Sequence, residues 1–369
     1  MSKKPLKICI ISLDASPLFG FHEGKSFGGA EVELYLLGKY LAKRDDFKIS
    51  FIVDDLGGAS GPILRENITL HERLHSFCLP FLRLMRKINA DIYVSSSSGK
   101  MVGKWALFAK LLGKKFAYLV ASDIDCDGGI EKRMSFVDSL WYRLGLKLSD
   151  VIVAQNTHQR NLLDQRGYCR VVVVKKGLDG ETGEIREDGR EYLLWVGRCT
   201  ESKRPEIFLD LARKFTQEKF LMVCPPSGES AEFFEKIHTE ATTPPNLKFS
   251  AGEKYADMEN VYKKAKLFVL TSDFEGDLPL VVLESFKYGV PVLSLTINPD
   301  GCFDDNRLGL FAGGDVKILE QQIKLLLADR ALYLKYQNAG RKYFDDFYNM
   351  ESIVLTFATL FREGLILLH

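Results

Sequence analysis

Short apolar runs alternate along this chain with segments whose apolar positions recur every three or four residues. Runs rich in Val and Ile and bounded by polar residues are typical of strands buried on both faces of a sheet. The segments between them have the spacing of helices that cover a sheet. The pattern therefore predicts an α/β protein with parallel sheets. The predicted strands cover 7–12, 48–53, 91–96, 116–122, 151–156, 171–176, 191–197, 220–224, 247–251, 267–272 and 290–295.

A glycine-containing polar segment at 178–190 interrupts this alternation and is the expected linker. The chain has 369 residues, which is too long for one ordinary core and suits two domains. The expected domains are 1–177 and 191–350, followed by a terminal helix at 351–369. The sequence also indicates helices at 30–44, 104–112, 204–216, 229–240, 256–265 and 279–288, and a helical region at 317–369.

Composition is that of an ordinary globular protein, with 46% hydrophobic and 27% charged residues. No run approaches the ~20 apolar residues of a transmembrane helix, and the first apolar run is expected to be a buried strand instead of a signal peptide. The seven cysteines include no Cys-x-x-Cys pair, which excludes a zinc ribbon and favours free thiols. These features predict a cytoplasmic location, and we expect no nucleic-acid partner.

The net charge of +1 conceals an asymmetry between the two halves of the chain. Residues 1–176 hold 27 Lys and Arg against 18 Asp and Glu, whereas residues 177–369 hold 23 against 31. Most of the excess lies in 73–115, where the stretch LPFLRLMRKI combines an apolar stripe with three basic residues. Two interpretations stay open: contact with an anionic membrane surface or acidic acceptor, and a solvated helix face.

The stretch 267–295 is the most informative for function. It reads LFVLTSDFEGDLPLVVLESFKYGVPVLSL, in which Glu275 and Glu284 flank a Pro-containing turn into a helix. A helix N-terminus beyond a strand end is a site for a phosphate, and nearby carboxylates can accept hydrogen bonds from sugar or ribose hydroxyls. The alternative is a buried strand, a turn and a helix with two solvated carboxylates.

Two further loops follow predicted strands. In VGRCTESKRPEIFLDLA, Arg198 and Lys203 precede a helix and could neutralise a diphosphate. In SFGGAEVELYLLGKYL, Gly28 and Gly29 would let backbone amides approach a phosphate. Each loop alone is also compatible with a solvated turn. Together they lie at the strand ends where open parallel sheets bind ligands.

These motifs resemble the retaining glycosyltransferases of family 4, also called glycosyl transferases group 1. The shared features are Gly-Gly-Ala-Glu after the first strand, VGR…K-R-P-E, and S-x-x-E-G…P-L-V-V-L-E-S…G-V-P-V, in the family's order across nearly the whole chain. The resemblance implies the GT-B fold, in which two Rossmann-like, doubly wound domains face a cleft. It also implies that the C-terminal helix, around 351–366, crosses back to the first domain.

The resemblance further implies a nucleotide-sugar donor site in the second domain. Arg198 and Lys203 would hold the diphosphate, and Gly28 and Gly29 would close over it. Glu284 would bind the ribose. The remaining implied contacts to the donor sugar and phosphate are Glu275, Gly276, Leu278, Pro279 and Leu280.

Two departures from the family pattern bear on the site. Eight residues separate Glu275 from Glu284, one more than is usual, so the loop either bulges at 276–277 or moves Glu275 away from its contact. The histidine that often follows a middle strand of the first domain is missing. Asp123 and Asp125 stand there instead, either as contacts to acceptor or donor sugar or as a capped polar turn.

The expected function is transfer of a hexosyl-type sugar, with retention, from a nucleotide diphosphate to a glycan or lipid-linked acceptor. The nucleotide sugar is a substrate, and no cofactor or metal is expected because no convincing ligand cluster is present. The expected setting is cell-surface polysaccharide or glycolipid synthesis, peripheral to the inner face of the membrane. Two alternatives stay open: a non-catalytic nucleotide-sugar-binding partner of a transferase, and a nucleotide-sugar epimerase.

Overall fold

The computed structural model describes residues 4–22, 27–59, 61–73, 79–96, 99–180, 185, 189–227, 231–254, 257–275, 278–304 and 307–364. The chain divides into two compact units. The first comprises residues 1–179 and 349–369, and the second comprises residues 180–348. Each unit is built around one mainly parallel sheet, which confirms the α/β prediction.

Eight strands form the sheet of the first unit, in the order β3-β4-β2-β1-β5-β6-β7-β8. Neighbouring strands are parallel except β3 and β4, which form an antiparallel hairpin. The strands are β1 (Leu6–Ile11), β2 (Phe47–Val53), β3 (Ile63–Arg65), β4 (Ile68–Glu72), β5 (Ile92–Ser95), β6 (Lys115–Leu119), β7 (Val151–Ala154) and β8 (Val171–Val173). The chain winds away from β1 in both directions, as in doubly wound folds.

Helices cover this sheet, which is why its central strands are apolar throughout. In β1, for example, Ile8, Cys9, Ile10 and Ile11 are all buried. The helices are α1 (Gly29–Ala42), α2 (Leu79–Ile88), α3 (Lys100–Leu111), α4 (Ile124–Asp127), α5 (Gly129–Lys132), α6 (Phe136–Leu148) and α7 (Thr157–Gln165).

Six parallel strands form the sheet of the second unit, in the order β11-β10-β9-β12-β13-β14. The strands are β9 (Tyr192–Val196), β10 (Lys219–Val223), β11 (Leu247–Ser250), β12 (Ala265–Leu270), β13 (Val292–Ser294) and β14 (Gly309–Phe311). The helices are α8 (Pro205–Lys214), α9 (Ala231–Ala241), α10 (Met258–Lys263), α11 (Leu280–Lys287), α12 (Val316–Ala328) and α13 (Arg330–Phe347). Strand order reverses between β9 and β12, and ligands of open parallel sheets bind beyond such a point.

The last described segment packs with the first unit. It consists of α14 (Met350–Thr359) and a wide helical turn at Leu360–Gly364. The Met350 amide donates to the Leu178 carbonyl at 2.9 Å, and Arg362 Nε lies 2.9 Å from Asp46 Oδ2.

Several elements were not expected from the sequence. The hairpin of β3 and β4 turns through Glu66 and Asn67, both in the left-handed region, and its strands are too short to show periodicity. Strand β14 and the helices α4 to α7 were likewise missed. The expected linker lies largely outside the described residues, which include only part of 178–190.

Helix α2 is the LPFLRLMRKI stretch. Its apolar side chains Phe81, Leu84 and Met85 are buried in the core of the first unit, and its basic side chains are exposed. These apolar side chains therefore pack into the protein's own core. The basic side chains form a solvated helix face, which is the second of the two interpretations of this stretch. Within 73–115, residues 74–78 and 97–98 lie outside the described part.

Candidate active site

Three charged residues of the second unit lie on loops at the carboxyl edge of its sheet, and two of them are in contact. Arg198 and Lys203 follow β9, and Glu275 follows β12. Lys203 Nζ forms an ion pair with Glu275 Oε1, and the two side chains are only 24% and 14% exposed. Arg198 is exposed and has no ion-pair partner among the residues that the structure describes. The described part of this edge therefore presents the unpaired cation Arg198 and a largely buried ion pair.

A relay of side-chain hydrogen bonds fixes the loop that carries Lys203. Trp195 Nε1 donates to Thr271 Oγ1 at 2.9 Å, and Thr271 Oγ1 donates to the Lys203 carbonyl at 2.6 Å. Trp195 and Thr271 are both buried. The Asp273 amide also donates to the Ser202 carbonyl at 2.9 Å. The loops after β9 and β12 are thus tied together at two points beneath the ion pair.

Arg204 makes a sharp turn between Lys203 and α8. Its φ is +50°, in the left-handed region that costs a residue other than glycine about 1–3 kcal/mol. The Arg204 guanidinium donates to Asp273 Oδ1 at 2.9 Å, and Pro205 occupies the first turn of α8. Pro205 begins the helix as the K-R-P-E motif indicates. The turn directs Lys203 toward the strand ends while its neighbour stays anchored.

Helix α11 begins at the same edge. Pro279 is its N-cap and Leu280 its first residue, and no side chain caps its first amides in the described structure. Leu278 and Pro279 are buried. Such an N-terminus carries partial positive charge and free N–H groups, which suit an anion. Gly276 lies outside the described residues, together with Asp277, so the predicted bulge or cap there stays a prediction.

Glu284 lies one turn further along α11. Burial raises the pKa of its carboxyl group to about 7, and a hydrogen bond with Tyr262 and the charge of Lys287 only partly oppose that rise. Tyr262 belongs to α10 and stacks on Tyr288 with ring centroids 6.0 Å apart. Tyr262 could not be predicted as a partner from the sequence, because α10 and α11 are separate elements.

Gly28 and Gly29, the two glycines that were expected to approach a phosphate, lie at the start of α1. Gly28 is the N-cap, and its amide donates to Glu31 Oε2 at 2.7 Å, so this N–H group is engaged within the helix. A Cβ atom at Gly28 would lie 2.8 Å from the same oxygen. Gly29 is the first helical residue. The structure therefore shows a tightly capped helix start, and a phosphate contact there stays a prediction.

Asp123 and Asp125, the two aspartates after β6 that were expected to contact a sugar, differ in their surroundings. Asp125 is 1% exposed, and its Oδ2 accepts the amides of Ala121 at 3.1 Å and Ser122 at 3.0 Å. Asp123 Oδ1 accepts Gln159 Nε2 at 3.0 Å. This is the geometry of a capped polar turn, and contact of either aspartate with a sugar stays a prediction.

A buried polar cluster near this turn was not predicted from the sequence. Gln155 Nε2 donates to the Val120 carbonyl at 2.9 Å and to Glu33 Oε2 at 3.4 Å, and the Gln155 amide donates to Gln159 Oε1 at 2.8 Å. No periodicity marks these residues. Only their position at the carboxyl end of β7 could have indicated them.

In the described part of the chain, no group of three or more His, Cys, Asp or Glu side chains is placed to hold a metal ion. A search of the same residues finds no helix with the length and apolarity needed to span a membrane. The six cysteines that the structure describes are free thiols, and all but Cys169 are buried.

Comparison with known proteins identifies the second unit. Residues 182–343 match the family model described as Glycosyl transferases group 1, so this segment is a domain of that type. No curated protein matches the chain in sequence.

Solved structures match the fold over nearly the whole chain. A sucrose-phosphate synthase from Thermosynechococcus elongatus superimposes with a TM-score of 0.78 at 16% identity, covering 98% of this chain and 99% of its own. Anabaena HepE in complex with UDP and glucose superimposes with a TM-score of 0.74 at 14% identity, covering 97% of this chain and 100% of its own. A mutant of S. aureus TarM, in complex with fondaparinux, alpha-GlcNAc-glycerol and UDP, superimposes with a TM-score of 0.63 at 15% identity, covering 77% of this chain and 58% of its own. These likenesses confirm the GT-B fold.

Proposed function

We propose that this protein is a glycosyltransferase that moves a hexosyl-type sugar from a nucleotide diphosphate to a glycan or lipid-linked acceptor. The observation that carries the proposal is the ion pair of Lys203 with Glu275 at the carboxyl edge of β9 and β12, with Arg198 on the loop after β9, inside the matched domain. HepE with UDP and glucose supports a nucleotide sugar as donor, and TarM with alpha-GlcNAc-glycerol supports a glycan-type acceptor.

Each group at this edge suits one part of such a donor. Arg198 and Lys203 would hold the diphosphate through charge-assisted hydrogen bonds, each contributing about 1.5–3 kcal/mol. The amides at the start of α11 would add the field of a helix N-terminus. Glu275, held by Lys203, would accept hydrogen bonds from sugar hydroxyls. Glu284 would accept those of the ribose in its ionised form.

Transfer requires stabilisation of the leaving group. The acceptor oxygen forms a bond to the anomeric carbon, the bond from that carbon to the diphosphate oxygen breaks, and the acceptor proton leaves with the diphosphate. Arg198 and Lys203 would offset the negative charge that develops. The proposal includes retention of anomeric configuration and no metal requirement. An inverted linkage by NMR, or activity abolished by chelator and restored by a divalent cation, would contradict those two parts.

The test begins with thermal melting of the full chain with a panel of nucleotide sugars. A ligand that binds only the folded state raises the melting temperature. We expect one donor to do so, and the shift to be lost in Arg198→Ala and in Lys203→Ala. Lys219→Ala is the matched control, because Lys219 is exposed at the start of β10, the opposite edge of the sheet.

Turnover of that donor then separates the alternatives. A transferase consumes donor faster when acceptor glycans or lipid-linked sugars are added. An epimerase converts the donor without acceptor, and a non-catalytic partner binds without turnover. Well-folded protein whose melting responds to no donor would overturn the proposal.

The excess of basic residues in the first half supports an acceptor on an anionic surface. We include in the proposal a role in cell-surface polysaccharide or glycolipid synthesis at the cytoplasmic face of a membrane. Transfer to lipid-linked acceptors in preference to free oligosaccharides is the result that would support this setting.

A further inference from the structure

The outer face of α6 exposes large apolar side chains. Phe136, Val137 and Leu140 are 84%, 60% and 59% exposed. They lie on the first turns of the helix, where positions i and i+4 share one face. Single exposed apolar residues are common on protein surfaces, but a contiguous group of this kind marks an interaction site.

Unpaired cations flank this apolar group. Lys132 and Arg133 immediately precede α6, and Lys147 lies on its last turn, three turns beyond Phe136 on the same side. All three are exposed, and none forms an ion pair within the described residues. The nearby acids are engaged elsewhere: Asp138 pairs with Lys100 at 3.3 Å, and the buried Glu131 pairs with Arg166.

The helix beneath makes this face rigid. A Cβ atom at Gly103 of α3 would lie 2.0 Å from the Trp141 carbonyl oxygen, and one at Gly145 would lie 2.7 Å from the Gly103 amide nitrogen. The two helices therefore cross with their backbones in contact. Their close packing fixes the position of α6 against α3, and with it the backbone that carries the exposed side chains.

We propose that the α6 face, defined as Phe136, Val137 and Leu140 with Lys132, Arg133 and Lys147, docks onto an anionic lipid surface. The apolar side chains suit the boundary between headgroups and acyl chains, and the cations beside them suit anionic headgroups. Charge complementarity favours this partner, because the face carries three unpaired cations and the neighbouring carboxylates, Asp138 and Glu131, are already paired. Helix α2 is less suited to this role, because Phe81, Leu84 and Met85 are buried in the core and Leu79 is its one largely exposed apolar side chain.

The inference does not depend on the proposed function. It is tested without donor or acceptor, by sedimentation of the full chain with vesicles of phosphatidylcholine alone or mixed with phosphatidylglycerol. We expect binding only to the anionic vesicles, and weaker binding at higher salt.

Two sets of substitutions separate the apolar and the charged contributions. Combining Phe136→Ser, Val137→Ser and Leu140→Ser should lower the bound fraction about tenfold, as should combining Lys132→Glu, Arg133→Glu and Lys147→Glu. The matched control combines Ile318→Ser and Leu325→Ser on α12, which are 41% and 46% exposed in the second unit and should bind like the wild type. Thermal melting verifies that every variant folds.

Three outcomes would overturn the inference. The wild type could fail to sediment with anionic vesicles, or the folded serine variant could bind as well as the control. Light scattering could also show a wild-type dimer that the serine variant dissociates. In that case a second copy of the chain, and not a membrane, covers the α6 face.

Discussion

At the scale of single residues, Thr271 links two parts of the candidate site, because its hydroxyl group joins the buried Trp195 side chain to the backbone of Lys203. Thr271→Val keeps the shape and removes both hydrogen bonds. A buried donor left without its partner costs about 1–3 kcal/mol. We therefore expect Thr271→Val to lower the free energy of unfolding of the second unit by that amount, measured by urea denaturation, and to weaken binding of nucleoside diphosphate in calorimetry.

The matched control is Thr271→Ser, which keeps the hydroxyl and loses one methyl group. It should retain affinity for the diphosphate even where its stability falls slightly. Equal affinities in the Val and Ser variants would show that the relay does not position Lys203.

A second residue-scale prediction concerns Glu284, whose folded-state pKa of about 7 exceeds its ordinary value of 4.5. The folded protein holds a proton that the unfolded chain releases, so this stabilisation is complete below pH 4.5 and is lost as pH rises through about 7. Glu284→Gln cannot ionise. Its melting temperature should therefore rise relative to wild type between pH 5.5 and pH 8, whereas the exposed control Glu259→Gln should show no such trend.

Donor affinity should change in the opposite direction over the same pH range. Ionised Glu284 accepts ribose hydroxyls better than the protonated acid, so wild-type affinity should rise with pH and that of Glu284→Gln should not. If the melting temperatures of wild type and Glu284→Gln changed with pH in the same way, the raised pKa of Glu284 would be contradicted.

The sequence could indicate Arg198, Lys203 and Glu275 because charged residues directly after apolar runs fall at strand ends. It could not indicate the relay, because Trp195 and Thr271 are 76 positions apart and only the parallel pairing of β9 with β12 joins them. Nor could it distinguish a sugar contact from a turn at Asp125, because spacing does not fix the direction of a carboxylate.

At the scale of elements, α3 and α6 depend on glycines that helix propensity disfavours. An alanine at Gly103 would gain up to about 1 kcal/mol of propensity, but its Cβ would lie 2.0 Å from a backbone oxygen that cannot move alone. Overpacking of this kind costs about 1–3 kcal/mol or more. Gly103→Ala should therefore destabilise the first unit in urea denaturation, whereas Gly61→Ala, with open space around it, should not. Equal stability of the two variants would contradict the close crossing.

Helix α6 also shows where the spacing of apolar residues is insufficient to predict an element. Strands β1 and β12 were predictable because their largely apolar runs are buried on both faces. Helix α6 was not, because it exposes apolar residues on its outer face and places Gly145 on its inner face. Its pattern is that of neither an ordinary amphipathic helix nor a strand.

At the scale of the whole molecule, the sheet topology and a surface groove indicate different places for a ligand in the second unit. A groove of about 390 Å³ is lined by residues 214–218 together with Lys324, Leu327 and Ala328. It lies at the end of α8 and the start of β10, the amino edge of the sheet. Parallel sheets bind ligands at the carboxyl edge, where Lys203 and the start of α11 lie. Chemistry and topology therefore favour the carboxyl edge over the groove.

Hydrogen exchange across the chain tests that choice. The first amides of α11 lack a side-chain cap and should exchange rapidly in the free protein. UDP, as probe, should slow exchange in peptides that contain Lys203 or Leu280 and leave residues 214–218 unchanged. Lys203→Ala should remove this protection and Lys219→Ala should retain it. Protection centred on the groove would move the site to the amino edge and refute the assignment of Arg198, Lys203 and Glu275, because a phosphate bound at one edge of the sheet cannot contact the other.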